Sequence, residues 1–129
     1  MRILAAVLLM LGLFTPVAQA QNYMGEYYAY IGPSDHWNSQ GVRLGDFGAI
    51  LQQDRANFHR FGIRDQFDSA DPFFGTLSAR SRIPTIWQVR PGSEYVVNRV
   101  LSGHEQYLRV EVFGTGGIPT RIFVSEGAG

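Results

Sequence analysis

The chain has 129 residues, and its 11 basic side chains balance its 11 acidic ones, so its formal net charge at pH 7 is 0. Such a chain lacks the cationic surface that neutralises nucleic-acid phosphates, so nucleic acid is not an expected partner. The absence of cysteine rules out disulfides and thiolate metal ligands, and stability is expected to come from packing alone. No cofactor is predicted.

The first twenty residues have the pattern of a secretory signal peptide. Arg2 precedes an uncharged, largely apolar run over residues 3–14, and Ala18 and Ala20 place small side chains at the signal-peptidase positions. We therefore predict cleavage after Ala20 and a single mature domain over residues 21–129. The protein is expected in the periplasm or outside the cell, with no stable membrane anchor after cleavage. All basic residues are arginines, which is typical of GC-rich bacterial genomes.

The mature region predicts an α+β fold. Apolar residues at helical spacing predict a long helix, and Asp71-Pro72 predicts the start of a second one. The predicted helices span residues 44–61 and 72–82, and the predicted strands span residues 26–31, 85–89, 94–101, 106–113 and 121–125. We expect two helices in the first half to pack on an antiparallel sheet of about four strands from the second half. The first strand is expected to join that sheet at an edge.

The last two strands are expected to form a hairpin. Val110 and Val112 alternate with polar or aromatic residues along the first of these strands. Pairing Val110 with Val124 and Val112 with Ile122 keeps the apolar side chains on one face, and a shift of one residue would separate them. We expect the helices to cover this apolar face.

The opposite face of the hairpin combines aromatic and arginine side chains, which is the composition of protein-binding hot spots. Its members are Tyr107, Arg109, Phe113, Arg121 and Phe123. An exposed patch of this kind predicts binding of a partner, with Arg109 and Phe123 as contact residues. The alternative is that the first half of the chain wraps around the sheet and buries this face.

Asp54 is the most unusual residue of the long helix, because it lies in the middle of the predicted apolar stripe. A carboxylate that faces a core is costly unless it is paired or accepts hydrogen bonds. One interpretation is structural, with the neighbouring polar loop, Arg43 or Arg55 as the partner. The other is catalytic, in which a buried acid with a raised pKa works with His36 or His59 as a general acid or base.

The polar loop over residues 34–41 is the second candidate site. Asp35, His36 and Asn38 supply hydrogen-bonding groups, and Trp37 supplies a flat ring that can stack on a small ligand. The loop therefore predicts a ligand-binding site. The alternative is that the polar side chains form turns with their own backbone, while Trp37 anchors the loop to the core.

No metal site is predicted. His36, His59 and His104 lack the spacing of zinc-binding histidine pairs. The aspartates between residues 65 and 71 recur every three residues, whereas a calcium loop needs alternate acidic positions followed by a glycine and a distal glutamate.

Together these patterns favour a small exported, non-catalytic binding or accessory module with a protein or small-molecule partner. The sequence contains no nucleophile elbow and no cysteine nucleophile. The alternative is a small periplasmic hydrolase-like enzyme that uses the buried acid Asp54 with His36 or His59.

Overall fold

The computed structural model describes residues 21–127. The predicted signal peptide, residues 1–20, lies outside the described residues. The fold is α+β, as the sequence predicts, with four strands in one mixed sheet. Within residues 21–127, no helix is both long and apolar enough to cross a membrane.

The sheet combines strands from both ends of the described chain. Its strands are β1 (Asn22–Ile31), β2 (Trp87–Val89), β3 (Gln106–Thr115) and β4 (Ile118–Glu126). In the order β1-β3-β4-β2, β1 and β4 run antiparallel to β3, and β2 runs parallel to β4. The predicted edge position of the first strand is confirmed. The prediction of a wholly antiparallel sheet from the second half is wrong, because β2 pairs in parallel and β1 supplies a full-length strand.

The hairpin of β3 and β4 has the predicted register. Val110 pairs with Val124, Val112 pairs with Ile122, and all four side chains are buried. The helices lie on this face, as predicted, and bury it in one apolar core. The other fully buried apolar members of that core are Tyr27, Ala29, Ile31, Phe47, Ile50, Leu51, Phe74, Ile83, Val96, Val100 and Leu108.

The helices lie in the middle of the chain and most of them follow its midpoint, so the predicted placement of two helices in the first half is only partly right. They are α1 (Phe47–Ala56), α2 (Leu77–Arg80), α3 (Ile83–Ile86) and α4 (Glu94–Leu101). The long predicted helix is α1, and it begins at residue 47 rather than 44 because the Asp46 side chain caps it by accepting from the Ala49 N–H at 2.9 Å. The helix continues as a π-turn over Asn57–Phe61 and ends, as predicted, at Gly62, whose φ is 67°.

The π-turn changes the direction in which the end of the helix faces. A regular helix places Phe58 and Phe61 on the same apolar stripe. Phe58 is buried, but the wider turn rotates Phe61 out of the stripe and leaves it 41% exposed. The N–H groups of Gly62 and Ile63 both donate to the Asn57 carbonyl, which closes the turn. Two apolar side chains, Phe61 and Ile63, therefore lie at the surface.

The segment predicted as a strand over residues 94–101 is the helix α4. Val96 and Val100 lie four residues apart and are both buried, and this helical spacing outweighs the strand propensity of the valines. The strand predicted over residues 85–89 is shortened to β2, because its first residues belong to α3.

The single helix predicted over residues 72–82 is also wrong. Asp71 accepts the N–H groups of Phe73 and Phe74 at 2.8 and 2.7 Å, as a helix cap does. The chain then makes only a turn, because Phe74 enters the core and Gly75 disfavours helix. Helical structure begins later, with the short α2.

Helix α1 packs so closely on α3 and β2 that one position accepts only glycine. A Cβ atom on Gly48 would lie 2.7 Å from Trp87 Nε1 and 2.8 Å from the Cα of Pro84. We expect Gly48→Ala to lower the free energy of unfolding by about 1–3 kcal/mol despite the better helix propensity of alanine. Gly45→Ala is the matched control, since nothing lies within 4 Å of its Cβ position. Equal urea midpoints for both variants would contradict this packing.

Candidate functional site

Asp54 is buried, with 1% of its surface exposed, and its partner is the next residue of the helix. Arg55 Nε donates to Asp54 Oδ2 at 2.7 Å. The guanidinium lies between the rings of Tyr27 and Phe58, 4.4 and 4.7 Å from their centroids. Burial alone lowers the pKa of Arg55. The Asp54 carboxylate outweighs this effect and raises the pKa above its ordinary value, so Arg55 stays charged. Of the partners considered from sequence, Arg55 is the one in contact.

Asp71 is the centre of the same cluster. Its Oδ2 accepts from Arg55 Nη1 at 2.9 Å and lies 2.7 Å from His59 Nε2. Burial alone raises the pKa of Asp71. The hydrogen bonds from His59 and Arg55 outweigh this effect and lower the pKa below its ordinary value. His59 therefore pairs with Asp71, and Arg55 links Asp71 to Asp54. This chain of contacts joins α1 to the segment that follows it.

Asp54 of this cluster and the separate buried carboxyl group of Asp35 are incompletely neutralised by their partners. Burial raises the pKa of Asp54 to about 7, because it outweighs the opposing effect of Arg55. Burial and the nearby Asp54 charge raise the pKa of Asp35 to about 8, although Asp35 accepts from the Gly32 N–H and from Asn57 Nδ2, each at 2.9 Å. Among residues 21–127, Asp54 Oδ1 and Arg55 Nη2 have no hydrogen-bond partner. A substrate in solution does not reach these buried groups in this conformation.

His36 joins two distant parts of the fold. It ends a 3-10 turn over Pro33–His36 and is buried. Its Nδ1 lies 3.0 Å from the Gly32 carbonyl oxygen, and its Nε2 lies 2.9 Å from that of Val100. Because both nitrogens face backbone oxygens, neither is free to act as a base.

The rest of the loop forms a narrow hairpin that carries Trp37. Trp37 pairs with Arg43 through a β-bridge, and the Arg43 guanidinium lies 5.8 Å from the centre of the Trp37 ring. Asn38 Oδ1 accepts two backbone N–H groups of the loop, at 3.0 and 2.9 Å. The side chains of Asp35, His36 and Asn38 therefore build the loop itself. The Trp37 ring is left 46% exposed.

Trp37 lines a groove between this loop and the end of α1, which we call the Trp37 groove. Its volume is about 270 Å³, near the lower limit of roughly 300 Å³ for small-molecule sites. Three exposed apolar side chains line it: Trp37, Phe61 and Ile63, which is 47% exposed. Gln53 and Asn57 add amide groups, and Gln53 Nε2 donates to Asn57 Oδ1 at 2.9 Å. The lining of the groove thus combines apolar side chains with polar groups.

Arg109 and Phe123 lie on the opposite face of the sheet from the helices. Arg109 forms an ion pair with Glu26 of β1 and lies 3.9 Å from Glu111 Oε2. The Arg90 guanidinium lies 4.0 Å from the centre of the Phe123 ring. These cross-strand pairs leave the face half-buried by its own side chains. The structure does not bring Arg109 and Phe123 together with the Trp37 loop.

The sequence indicates the Trp37 loop as a candidate site but does not indicate the apolar residues beside it. Phe61 is assigned to the core stripe, because the π-turn has no recognisable sequence pattern. Ile63 follows Gly62, the glycine that ends the helix, and lies in a polar segment. An apolar residue at this position was the one sequence feature that could have indicated the groove.

Within residues 21–127, no group of three or more His, Cys, Asp or Glu side chains is arranged to hold a metal ion. No protein-family model matches the chain, and no curated protein or solved structure matches it. By its fold and its site, the protein is a two-layer α+β protein with an aromatic-flanked groove on its helical side.

Proposed function

We propose that this protein is a small exported, non-catalytic binding module that takes a small ligand with apolar surface in the Trp37 groove. The observation that carries the proposal is the exposure of three large apolar side chains, Trp37, Phe61 and Ile63, around one concave surface. Single exposed apolar residues are ordinary, whereas a cluster that lines a groove is typical of a ligand site.

Export is part of the proposal and rests on the pattern of residues 1–20. We place the mature protein in the bacterial periplasm or outside the cell. A ligand of this protein is therefore a molecule found outside the cytoplasm.

The catalytic alternative has weaker support. A general acid or base must lie within hydrogen-bond reach of its substrate. Asp54 is buried against Arg55, and both nitrogens of His36 face backbone carbonyls. His59 is hydrogen-bonded to Asp71 rather than to Asp54. These contacts favour a structural role for all three candidate residues.

The proposal is tested by titrating the ¹⁵N-labelled protein with benzyl alcohol, a neutral aromatic probe, and following the spectrum by NMR. At about 0.3 kcal/mol per non-hydrogen atom, a fragment of this size binds with a Kd on the order of 10 mM. The chain has two tryptophans, which provide an internal control. The indole N–H of Trp37 is expected to shift, whereas that of Trp87, packed on Phe47 with ring centroids 4.9 Å apart, is expected to stay.

Trp37→Ala is expected to weaken binding of benzyl alcohol by about threefold or more, because the stacking surface is lost. The variant should stay folded, since the ring is exposed. Val42→Ala is the matched control, because Val42 is exposed on the same loop but does not line the groove. A Trp37 signal that stays unchanged up to about 50 mM probe, several times the expected Kd, would overturn the proposal.

A further inference from the structure

A second cavity, of about 230 Å³, adjoins the Trp37 groove. The two share the lining residues Asn38, Ser39, Gln53 and Phe61. The second cavity differs from the groove in its charge. Two arginines, Arg60 and Arg80, line it, whereas no charged side chain lines the groove. We call it the arginine cavity.

Arg80 is a buried cation without an anionic partner. It is the last residue of α2 and is only 4% exposed. Its Nη1 donates to the Phe74 carbonyl at 3.1 Å, the one acceptor that it has among residues 21–127. No carboxylate of these residues lies within 4.0 Å of its guanidinium. Because a guanidinium carries five N–H donors, most of the hydrogen bonds that Arg80 can make are left for another acceptor.

Arg60 adds a second positive charge to the cavity. It lies in the π-turn, is exposed, and packs its guanidinium 4.9 Å from the centre of the Phe61 ring. In the described part of the chain it also has no carboxylate within 4.0 Å. Burial and the Arg60 charge lower the pKa of Arg80. An anion between two such cations relieves their repulsion and accepts hydrogen bonds from the N–H groups of Arg80 that have no acceptor among the described residues.

Asp71, a carboxylate whose charge acts on Arg80, does not fill this role. Asp71 opposes the lowering of the Arg80 pKa. Its two oxygens already take four donors, from Arg55, His59 and two backbone N–H groups. Asp71 therefore belongs to the buried cluster, and the cavity side of Arg80 stays without a negative charge.

The other walls of the arginine cavity favour an organic anion. Gln52 and Gln53 provide neutral polar groups, and Leu44, Ala49 and Leu77 provide apolar surface. The shared wall at Phe61 connects this cavity to the apolar rim of the Trp37 groove. A ligand that spans both has a negative group at one end and an apolar body at the other.

We propose that the arginine cavity binds the carboxylate of a small organic anion between Arg60 and Arg80, while the apolar body of the ligand lies in the Trp37 groove. This assignment rests on the proposed binding function and adds the charge and chemical class of the ligand. Guanidinium groups suit this task, because their planar N–H donors match the two oxygens of a carboxylate.

Benzoate and benzyl alcohol test the assignment, because they share a ring and differ in the negative charge. In NMR titrations of the folded protein at constant ionic strength, benzoate is expected to bind about tenfold more tightly than benzyl alcohol. In Arg60→Gln and in Arg80→Lys, the ratio of the two affinities should fall to about threefold or less. Arg82→Gln is the matched control, because Arg82 is exposed and does not line the cavity.

Each outcome decides between the two proposals. Equal affinity for benzoate and benzyl alcohol would overturn the anion assignment and leave the Trp37 groove as a site for neutral ligands. Binding of neither probe would overturn both. Inorganic phosphate should bind about tenfold more weakly than benzoate because it buries no apolar surface, and equal affinity would contradict an organic ligand. If Arg80→Lys fails to fold, the exposed Arg60→Gln still decides, since an unchanged tenfold preference there would overturn the assignment.

Discussion

Replacing Arg55 by methionine is expected to lower the free energy of unfolding by about 3–5 kcal/mol. The buried guanidinium donates to Asp54 at 2.7 Å and to Asp71 at 2.9 Å. Methionine retains much of the side-chain volume but removes the guanidinium that two buried carboxyl groups share. A typical domain is stable by about 5–15 kcal/mol, so this loss is a large fraction of the total. Urea denaturation at pH 7 measures it.

Arg64→Met is the matched control for this variant. The Arg64 guanidinium stacks on the Phe58 ring, 4.2 Å from its centroid, but Arg64 is exposed and has no carboxylate within 4.0 Å among residues 21–127. Losing that stacking is expected to cost about 1 kcal/mol or less. Equal losses for Arg55→Met and Arg64→Met would contradict the account, because the carboxylate contacts of Arg55 would then contribute nothing.

The second large effect is expected from pH: the free energy of unfolding should fall by about 2 kcal/mol or more between pH 5 and pH 8. The pKa values of Asp54 and Asp35 are raised from 3.8 to about 7 and about 8. Between pH 3.8 and these raised pKa values, the folded state binds more protons than the unfolded state. The stability is therefore fully present below pH 3.8 and is lost as the pH rises through the folded values. Asp71, whose pKa is lowered, acts oppositely, and its contribution is lost only as the pH falls below about 4.

Asp54→Asn isolates the contribution of the Asp54 carboxyl group to this pH dependence. Asparagine resembles the protonated carboxyl group at every pH. The stability of the variant relative to the wild-type protein should therefore increase from pH 5 to pH 8, as measured by urea denaturation at each pH. A wild-type stability that stays flat or increases over this range would mean that the buried carboxylates are ionised and fully neutralised by their partners.

The features of the fold that the sequence predicts well are those set by burial of one face. The alternation in β3 and β4 fixed their register, because shifting the strands by one residue would turn Val110 and Val112 to the outer face. Helix α4 was missed because its valines favour a strand, while the helical spacing that decides its structure rests on only two buried positions, Val96 and Val100. The parallel β2 depends on where other elements leave an open edge, which local sequence does not reveal.

The sequence indicates residues of the candidate site only where a residue type is unusual for the segment in which it lies. Trp37 is unusual because it lies in a polar turn, and in the structure it is exposed. Asp54 is unusual because it lies in an apolar stripe, and in the structure it is buried. The cavity side chains Arg60 and Arg80 gave no such signal, because arginine is ordinary on a surface. Arg60 and Arg80 line one cavity because Arg60 lies in the π-turn at the end of α1 and Arg80 ends α2, after the break in the predicted helix.

One residue of the π-turn connects the buried Asp35 to the lining of the Trp37 groove. Asn57 Nδ2 donates to Asp35 at 2.9 Å, and Asn57 Oδ1 accepts from Gln53, which lines the groove. Asp35 therefore joins the loop to the helix end beside the groove.

The most direct test of the account is a set of intermolecular nuclear Overhauser effects between benzoate and the labelled protein. The account predicts contacts from the ring protons of benzoate to the side chains of Trp37 and Phe61, together with a shift of the Arg80 Nε–H signal. Contacts to Phe123 on the outer sheet face, with the Trp37 and Arg80 signals unchanged, would contradict it.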